Sequence, residues 1–232
     1  VQCEMGGKNP VVVLADADLD LAAAGTAEGA FGSTGQRCTA TSRAIVEHGV
    51  LGAFTERGVE RARALVVGDG MDEKTQVGPS VDDQQLETVL GYLDAGKKEG
   101  AKVLCGGGRA AGGALARGSF VEPTVFAGVR PEMRIAQEEI FGPVLSILAV
   151  PDFEEAMRVA NGVRYGLTAS IYTREVERVQ RFVAEIETGI VHVNSATIGG
   201  EAQLPFGGSK ATGIGPREQG RTAIDFYTEV KT

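Results

Sequence analysis

Cysteine supplies the side chains of this 232-residue sequence that are best suited to covalent chemistry, at Cys3, Cys38 and Cys105. The thiolate is the nucleophilic form, and a cationic neighbour such as Arg37 is expected to lower a thiol pKa. Cys38 lies in the polar stretch 35–39, whereas the other two lie beside or within strand-like runs. Cys38 is therefore the candidate nucleophile, and the alternative is that it fills a core position as a small apolar side chain.

Three aspartates at alternate positions, Asp16, Asp18 and Asp20, resemble the start of a calcium-binding loop. Such a loop needs a glycine at its sixth position and a bidentate glutamate at its twelfth. This chain has Leu21 and Ala27 there. The aspartates are therefore expected to cap a helix, and no metal site is predicted.

Neither the histidines nor the glycine-rich run 106–113 forms a pattern with an assigned chemistry. His48 and His192 are far apart and lack partners at zinc-ligand or Ser-His-Asp spacing, so both are expected at strand edges. The run 106–113 lacks the Gly-x-Gly-x-x-Gly and Gly-Lys-Ser/Thr patterns of phosphate-binding loops. It is predicted to be a surface hairpin.

Short β-branched runs alternate with segments of helical period, which predicts an α/β fold with a doubly wound, mostly parallel sheet and helices on both faces. Strands are expected at residues 11–14, 43–47, 102–105, 120–125, 144–150, 168–172 and 189–193. Helices are expected at residues 18–35, 51–65, 82–98, 153–161, 174–187 and 217–223. A last strand at 226–230 has no neighbour in the chain and is expected to pair outside the domain.

Composition excludes several classes of protein. The chain is 43% hydrophobic, which is typical of a globular domain, and its 31 acidic and 23 basic residues give a net charge of −8. No basic run favours nucleic acid as a partner, and no apolar run approaches the ~20 residues that span a bilayer. Three cysteines in a chain long enough to build its own core indicate a reducing compartment, and a cytoplasmic location is predicted.

Four ordered motifs carry a resemblance to a known family. They are EMGGK at 4–8, GQRC at 35–38, EEIFGPV at 138–144 and PFGGSK at 205–210, the last followed by Arg217-Glu218. Through them the whole chain closely resembles the catalytic half of the NAD(P)-dependent aldehyde dehydrogenase family. That half is expected to be a doubly wound α/β domain.

The resemblance implies a catalytic role for three residues: Cys38 as nucleophile, Glu4 as general base, and Glu218 as part of a proton relay. The implied reaction oxidises an aldehyde to a carboxylic acid through a thiohemiacetal and a thioester on Cys38. Pro216 adds one residue between Lys210 and Glu218 relative to the family pattern. This departure weakens the assignment of Glu218 alone.

For the cofactor, NAD or NADP, the resemblance implies contacts at Glu139, Phe141, Met5 and Gly6. Glu139 is expected to hold the nicotinamide ribose, and Phe141 is expected to lie against the cofactor. Met5 stands where leucine is commoner in the family.

For the substrate, Arg37 and the run 215–220 look most like members that oxidise 2-oxoglutarate semialdehyde. The distal carboxylate of such a substrate needs a fixed guanidinium, which Arg37 provides. The alternative is that Arg37 forms a structural ion pair.

The resemblance also implies that residues 1–232 are a fragment without the family's N-terminal cofactor-binding domain. That domain carries an asparagine of the oxyanion hole, so the fragment is expected to be inactive alone. The full-length protein is expected to be a homodimer or homotetramer, with 226–231 as an oligomerisation strand. The alternative function is a non-catalytic scaffold or assembly module, and the reactivity of the Cys38 thiol distinguishes the two.

Overall fold

The computed structural model describes residues 2–232, except for the side chain of Ala114. Its strands are β1 (Cys3–Glu4), β2 (Asn9–Val13), β3 (Thr41–Glu47), β4 (Lys102–Cys105), β5 (Thr124–Ala127), β6 (Val144–Val150), β7 (Tyr165–Gly166), β8 (Thr168–Tyr172), β9 (Ile190–Val193), β10 (Ser209–Lys210) and β11 (Gly213–Ile214). Its α-helices are α1 (Leu19–Phe31), α2 (Leu51–Ala64), α3 (Asp83–Lys98), α4 (Arg134–Gln137), α5 (Phe153–Asn161), α6 (Val176–Glu185) and α7 (Thr222–Tyr227). Short 3-10 helices cover Gly32–Gly35 and Gly113–Arg117.

A seven-stranded sheet in the order β4-β5-β6-β3-β2-β8-β9 forms the centre of the domain. All neighbouring strands are parallel except β4 and β5. Helices cover both faces of this sheet, so the predicted fold class is confirmed. Two small antiparallel pairs, β1 with β11 and β7 with β10, fasten the C-terminal tail to the edge of the domain.

Each face of the sheet has its own apolar core, as strand β2 illustrates. Val12 packs on one face with side chains from α3, α4, α5 and α6. Val11 and Val13 pack on the other face with side chains from α1 and α2. Successive side chains of a strand point to opposite faces, and a strand buried on both faces is apolar at every position.

The aspartate cluster is explained by local structure. Asp18 is the N-cap of α1, and its carboxylate accepts hydrogen bonds from the N–H groups of Asp20 and Leu21. Asp16 accepts hydrogen bonds from the Thr173 hydroxyl and the Arg174 N–H, and so ties the start of α1 to the end of β8. The helix-capping role predicted for Asp18 is confirmed.

Several predicted elements differ from the structure. The strand predicted at 120–125 begins only at Thr124, because Pro123 has no N–H to give to a neighbouring strand. The helix predicted at 217–223 lies instead at Thr222–Tyr227, and the strand predicted at 226–230 is absent from the described chain. A lone strand has no partner for its backbone, whereas a helix satisfies its hydrogen bonds locally. Pairing of 226–231 with another subunit stays a prediction.

Other features of the chain fall close to their predicted places. The segment after β4 is a surface loop, in which Arg109 forms an isolated bridge with Val121. His192 lies on the edge strand β9, while His48 begins the turn after β3. No helix among residues 2–232 is long and apolar enough to cross a membrane.

A buried arginine joins the central strands to the helix layer. The Arg43 guanidinium donates hydrogen bonds of 2.9–3.0 Å to the carbonyl oxygens of Lys8, Val159 and Ala160. Burial lowers the pKa of Arg43 to about 9, so the group stays charged at neutral pH. It therefore fixes the end of α5 to the chain that leads into β2.

Replacing this group tests its contribution. Arg43→Met removes three hydrogen bonds to buried carbonyl groups, of which only that of Val159 keeps another donor, the Gly162 N–H. Each of the other two losses costs ~1–3 kcal/mol, so the free energy of unfolding in urea falls by about 2 kcal/mol or more. Arg158→Met, which removes an exposed arginine of α5, leaves the unfolding midpoint nearly unchanged. Equal losses in the two variants would contradict this account of Arg43.

Candidate active site

The segment that presents Cys38 has an unusual backbone. After α1, Ser33 and Thr34 adopt positive φ angles of 52° and 58°, and Gly35 follows at 64°. A Cβ atom at Gly35 would overlap the carbonyl of Gly142, so this position requires glycine. The helix predicted to reach residue 35 therefore ends at Phe31, and the left-handed turn redirects the chain towards Cys38.

A buried side-chain amide holds the backbone of Cys38 in place through hydrogen bonds. Asn9, at the start of β2, donates hydrogen bonds from Nδ2 to the carbonyl oxygens of Cys38 at 2.7 Å and Ala40 at 2.8 Å. Its Oδ1 accepts a hydrogen bond from the N–H of Thr168 on β8. The amide thus positions Cys38 above the ends of the central strands.

The segment that carries Glu4 passes directly against Cys38. Glu4 pairs with Gly213 in the β1–β11 ladder, and the Met5 N–H donates to the Thr212 carbonyl. A Cβ atom at Gly7 would lie 2.9 Å from the Cys38 carbonyl oxygen, so a larger residue would push the two segments apart. Glycine at this position brings residues 4–7 close to the thiol.

Glu139, in the segment between α4 and β6, contacts the chain at Gly6 and Gly7. Its half-buried carboxylate accepts a hydrogen bond of 3.0 Å from the Gly7 N–H. A Cβ atom at Gly6, where φ is +99°, would overlap that carboxylate. Burial raises the pKa of Glu139, while the Gly7 N–H and the charge of Lys8 act in the opposite direction.

Phe141 is held in a conformation that a bulky residue rarely adopts. Its φ is +56°, and its side chain is 39% exposed. The side-chain amide of Gln85 donates to the carbonyl oxygens of Ile140 and Phe141, at 3.1 and 2.9 Å. Strained conformations of this kind persist where the surroundings hold them, and they cluster at functional sites.

The electrostatics of Cys38 differ from the expectation based on Arg37. Burial raises the pKa of the Cys38 thiol, and the charges of Glu4 and Glu139 raise it further. The N–H groups of Thr39 and Cys38 act in the opposite direction. The Arg37 side chain is exposed, where water screens its charge, so the predicted lowering of the thiol pKa by Arg37 is wrong.

Glu4 and Glu218 lie near each other despite the extra residue at Pro216. Partial burial raises the pKa of Glu4, the charge of Glu218 raises it further, and the charge of Arg217 lowers it. Glu218 is held by backbone hydrogen bonds in both directions with Phe206. The structure therefore brings the two glutamates together.

Cys38 lies between two concave surfaces. On one side is a cavity of about 200 Å³, which we name the Arg37 cavity. The polar side chains that line it are those of Arg37, Cys38, Thr39, His192, Thr197 and Gln219. On the other side a narrower cleft is lined by Gly7, Glu139 and Phe141, and Arg37 and Cys38 line both surfaces. Among the described residues Arg37 forms no ion pair within 4 Å, so its structural alternative has no support there.

Sequence reasoning missed three residues of this site: Asn9, Gln85 and His192. Asn9 follows the EMGGK motif directly, and that proximity was a usable signal. His192 lies two residues after Ile190 in a predicted strand, which places both on one face. Nothing in the sequence pointed to Gln85, because it acts through the backbone of residues 140–141.

The chain is similar to known proteins along its whole length. A model of the aldehyde dehydrogenase family matches residues 1–232. An alpha-ketoglutaric semialdehyde dehydrogenase of Bacillus subtilis is 47% identical over 231 residues, which cover 100% of this chain and 47% of that protein. An alpha-ketoglutarate semialdehyde dehydrogenase of Haloferax volcanii is 49% identical over 233 residues, 100% and 48% of the two chains. Retinaldehyde dehydrogenase 3 of Mus musculus is 47% identical over 232 residues, 100% and 44% of the two chains.

Two solved structures share the fold. An NAD-dependent aldehyde dehydrogenase from Sinorhizobium meliloti has a TM-score of 0.94 and 41% identity, over 99% of this chain and 44% of that one. A betaine aldehyde dehydrogenase from Staphylococcus aureus in complex with NAD+ has a TM-score of 0.94 and 34% identity, over 97% and 44% of the two chains. The chain spans somewhat less than half the length of the relatives it matches.

The influence of Glu139 on the thiol is open to direct measurement. In Glu139→Gln the pH midpoint of Cys38 alkylation by iodoacetamide moves to lower pH, because a negative charge that disfavours the thiolate is gone. Mass spectrometry of each cysteine follows the reaction.

Glu122→Gln is the matched control, since Glu122 raises the pKa of Cys105 and does not act on Cys38. It shifts the alkylation midpoint of Cys105 alone. An unchanged Cys38 midpoint in Glu139→Gln would show that Glu139 does not act on the thiol.

Proposed function

Because the chain belongs to the aldehyde dehydrogenase family, we propose that it supplies the nucleophile and the general base for NAD(P)-dependent oxidation of an aldehyde to a carboxylic acid. One observation carries the proposal: the segment of Glu4 lies between the Cys38 backbone and Glu139, and a cavity opens on either side of Cys38. In the full-length enzyme the remaining half of the protein completes the site, and the 232-residue chain alone is expected to be inactive.

The first step is attack of the Cys38 thiolate on the aldehyde carbon. A C–S bond forms, and the carbonyl electron pair moves to oxygen, which becomes an oxyanion. The Cys38 N–H donates to that oxyanion, together with an asparagine outside this chain. Removal of such a donor typically costs ~3–4 kcal/mol in the transition state.

The last step is hydrolysis of the thioester on Cys38. Glu4 accepts a proton from water as the water oxygen bonds to the acyl carbon and the C–S bond breaks. The raised pKa of Glu4 makes its carboxylate a stronger base than an exposed glutamate. Glu218, beside Glu4, passes the proton towards solvent.

The cleft on the other side of Cys38 fits a nicotinamide cofactor. Glu139 presents a fixed carboxylate that suits ribose hydroxyl groups, Gly6 leaves room that a side chain would fill, and Phe141 presents an exposed ring. Exposed Met5 lies beside these groups along the chain. When bound, NAD or NADP supplies a hydride acceptor, and these residues orient it. The structure of the S. aureus relative is a complex with NAD+, which supports the choice of cofactor.

For the substrate we propose a semialdehyde that carries a carboxylate. Identity alone does not decide, since semialdehyde and retinaldehyde dehydrogenases match the chain equally well. The Arg37 cavity supports the choice, because it places a cation without an ion-pair partner among the described residues beside the nucleophile. A carboxylate is the natural counter-ion for that guanidinium.

Arg37→Ala in the full-length enzyme raises the KM for a carboxylated semialdehyde roughly tenfold or more, since a charged hydrogen bond is worth ~1.5–3 kcal/mol. The KM for an unsubstituted aliphatic aldehyde stays nearly constant. Steady-state kinetics with both aldehydes make the comparison, and Arg109→Ala, in the surface loop, is the control. Equal effects on the two aldehydes would assign Arg37 to structure instead.

Glu4→Gln keeps the size of the side chain and removes the base needed after hydride transfer. Rapid mixing of the full-length variant gives a burst of NADH near one equivalent per site, followed by turnover that is slower by ~10²–10⁴-fold. Mass spectrometry finds an acyl group on Cys38.

Glu177→Gln, at an exposed position of α6, serves as the control and keeps wild-type turnover. Loss of the burst together with turnover in Glu4→Gln would mean that Glu4 is needed before hydride transfer. An unreactive Cys38 in the assembled enzyme would favour the scaffold alternative.

A further inference from the structure

The Arg37 cavity contains a second polar group whose chemistry the proposed function leaves unused, the imidazole of His192. Among the described residues, no hydrogen bond to the His192 ring is present, and the ring is half-buried. A half-buried polar group that lacks a protein partner is available to a ligand.

The strand fixes which way this side chain faces. Val191 packs against the apolar core on one side of the sheet. Ile190 and His192 are its neighbours in β9, so they share the opposite face, where both line the Arg37 cavity. Pairing of His192 with Ser170 in β8 holds this register.

Most other polar groups of the cavity are already engaged or are backbone. Thr197 uses its hydroxyl to donate to the Thr39 carbonyl, and it also shares a hydrogen bond with Thr41. Gly199 and Gly200 contribute no side chains. Besides the Cys38 thiol, this leaves the side chains of Arg37, His192 and Gln219 and the hydroxyl of Thr39 to contact a bound molecule.

Burial lowers the pKa of His192, so its ring is neutral at neutral pH. A neutral imidazole has one N–H donor and one acceptor nitrogen. In the cavity that it shares with the Arg37 guanidinium, the His192 N–H can donate to a carboxylate whose charge the arginine neutralises. Together the two side chains would recognise both the charge and the orientation of that carboxylate.

We propose that His192 is a specificity-determining residue, which donates a hydrogen bond to the distal carboxylate of the aldehyde whose carbonyl carbon lies at Cys38. This inference rests on the proposed function and extends it. Arg37 supplies the charge, and His192 fixes the direction from which the carboxylate is held.

Kinetics with two aldehydes of equal length test the proposal in the full-length enzyme. His192→Phe keeps a planar ring but removes the donor, so the KM for 5-oxopentanoate rises about tenfold. The kcat and the KM for pentanal stay within about twofold. His192→Gln, which restores a donor, recovers most of the loss, whereas a purely structural role would affect both aldehydes equally and overturn the proposal.

A binding measurement keeps the result separate from the proposed function. The imidazole Cε1–H resonances of the full-length enzyme are followed by NMR during titration with glutarate, and those of His192 and His48 are assigned by their loss in His192→Phe and His48→Phe. The His192 resonance shifts to saturation, exposed His48 does not, and Arg37→Ala weakens the effect.

The neutral analogue 1,5-pentanediol leaves both resonances in place. Absence of a glutarate-dependent His192 shift, or an equal shift with the diol, overturns the proposal. If the wild-type enzyme oxidises neither aldehyde, the proposed function fails, and the glutarate titration alone then decides whether His192 binds a carboxylate.

Discussion

The candidate site depends on the hydrogen bonds of one buried amide, Asn9. Its Nδ2 joins the carbonyl oxygens of Cys38 and Ala40, and its Oδ1 accepts from the Thr168 N–H. These bonds connect the start of β2 with the segment before β3 and with β8. An amide has both donors and an acceptor, so aspartate, which has no donor when ionised, would not replace it.

Around Asn9, the segments of Cys38, Glu4 and Glu139 approach one another closely, and this approach sets the pKa of the thiol. The glycines at 6 and 7 let the Glu4 segment pass between Cys38 and Glu139 without side chains in the way. The two glutamates then act on the thiol through space, and burial removes the water that would screen them. In the chain by itself, the protonated thiol is therefore favoured, which limits the reactivity of a cysteine that is only half-buried.

The sequence was sufficient for the fold class, because its alternation of β-branched runs and helical periods reports burial directly. Only the motifs named Glu4, Cys38 and Glu139 together as candidates, since these residues are distant along the chain and are brought close by the strand order. The sequence failed where the outcome depends on tertiary surroundings. Because Arg37 is exposed, its charge does not lower the pKa of the Cys38 thiol. The residues after 221 form a helix because no strand lies beside them to accept a further strand.

The segment 78–85 touches both sides of Cys38. The Gln36 side chain donates to the Pro79 carbonyl and accepts from the Val81 N–H, while Gln85 holds the carbonyl group of Phe141. The segment of Cys38 and the segment of Phe141 are thus both hydrogen-bonded to one short stretch at the start of α3. A displacement of this stretch would therefore act on the Cys38 segment and on the Phe141 segment at once, because each is hydrogen-bonded to it.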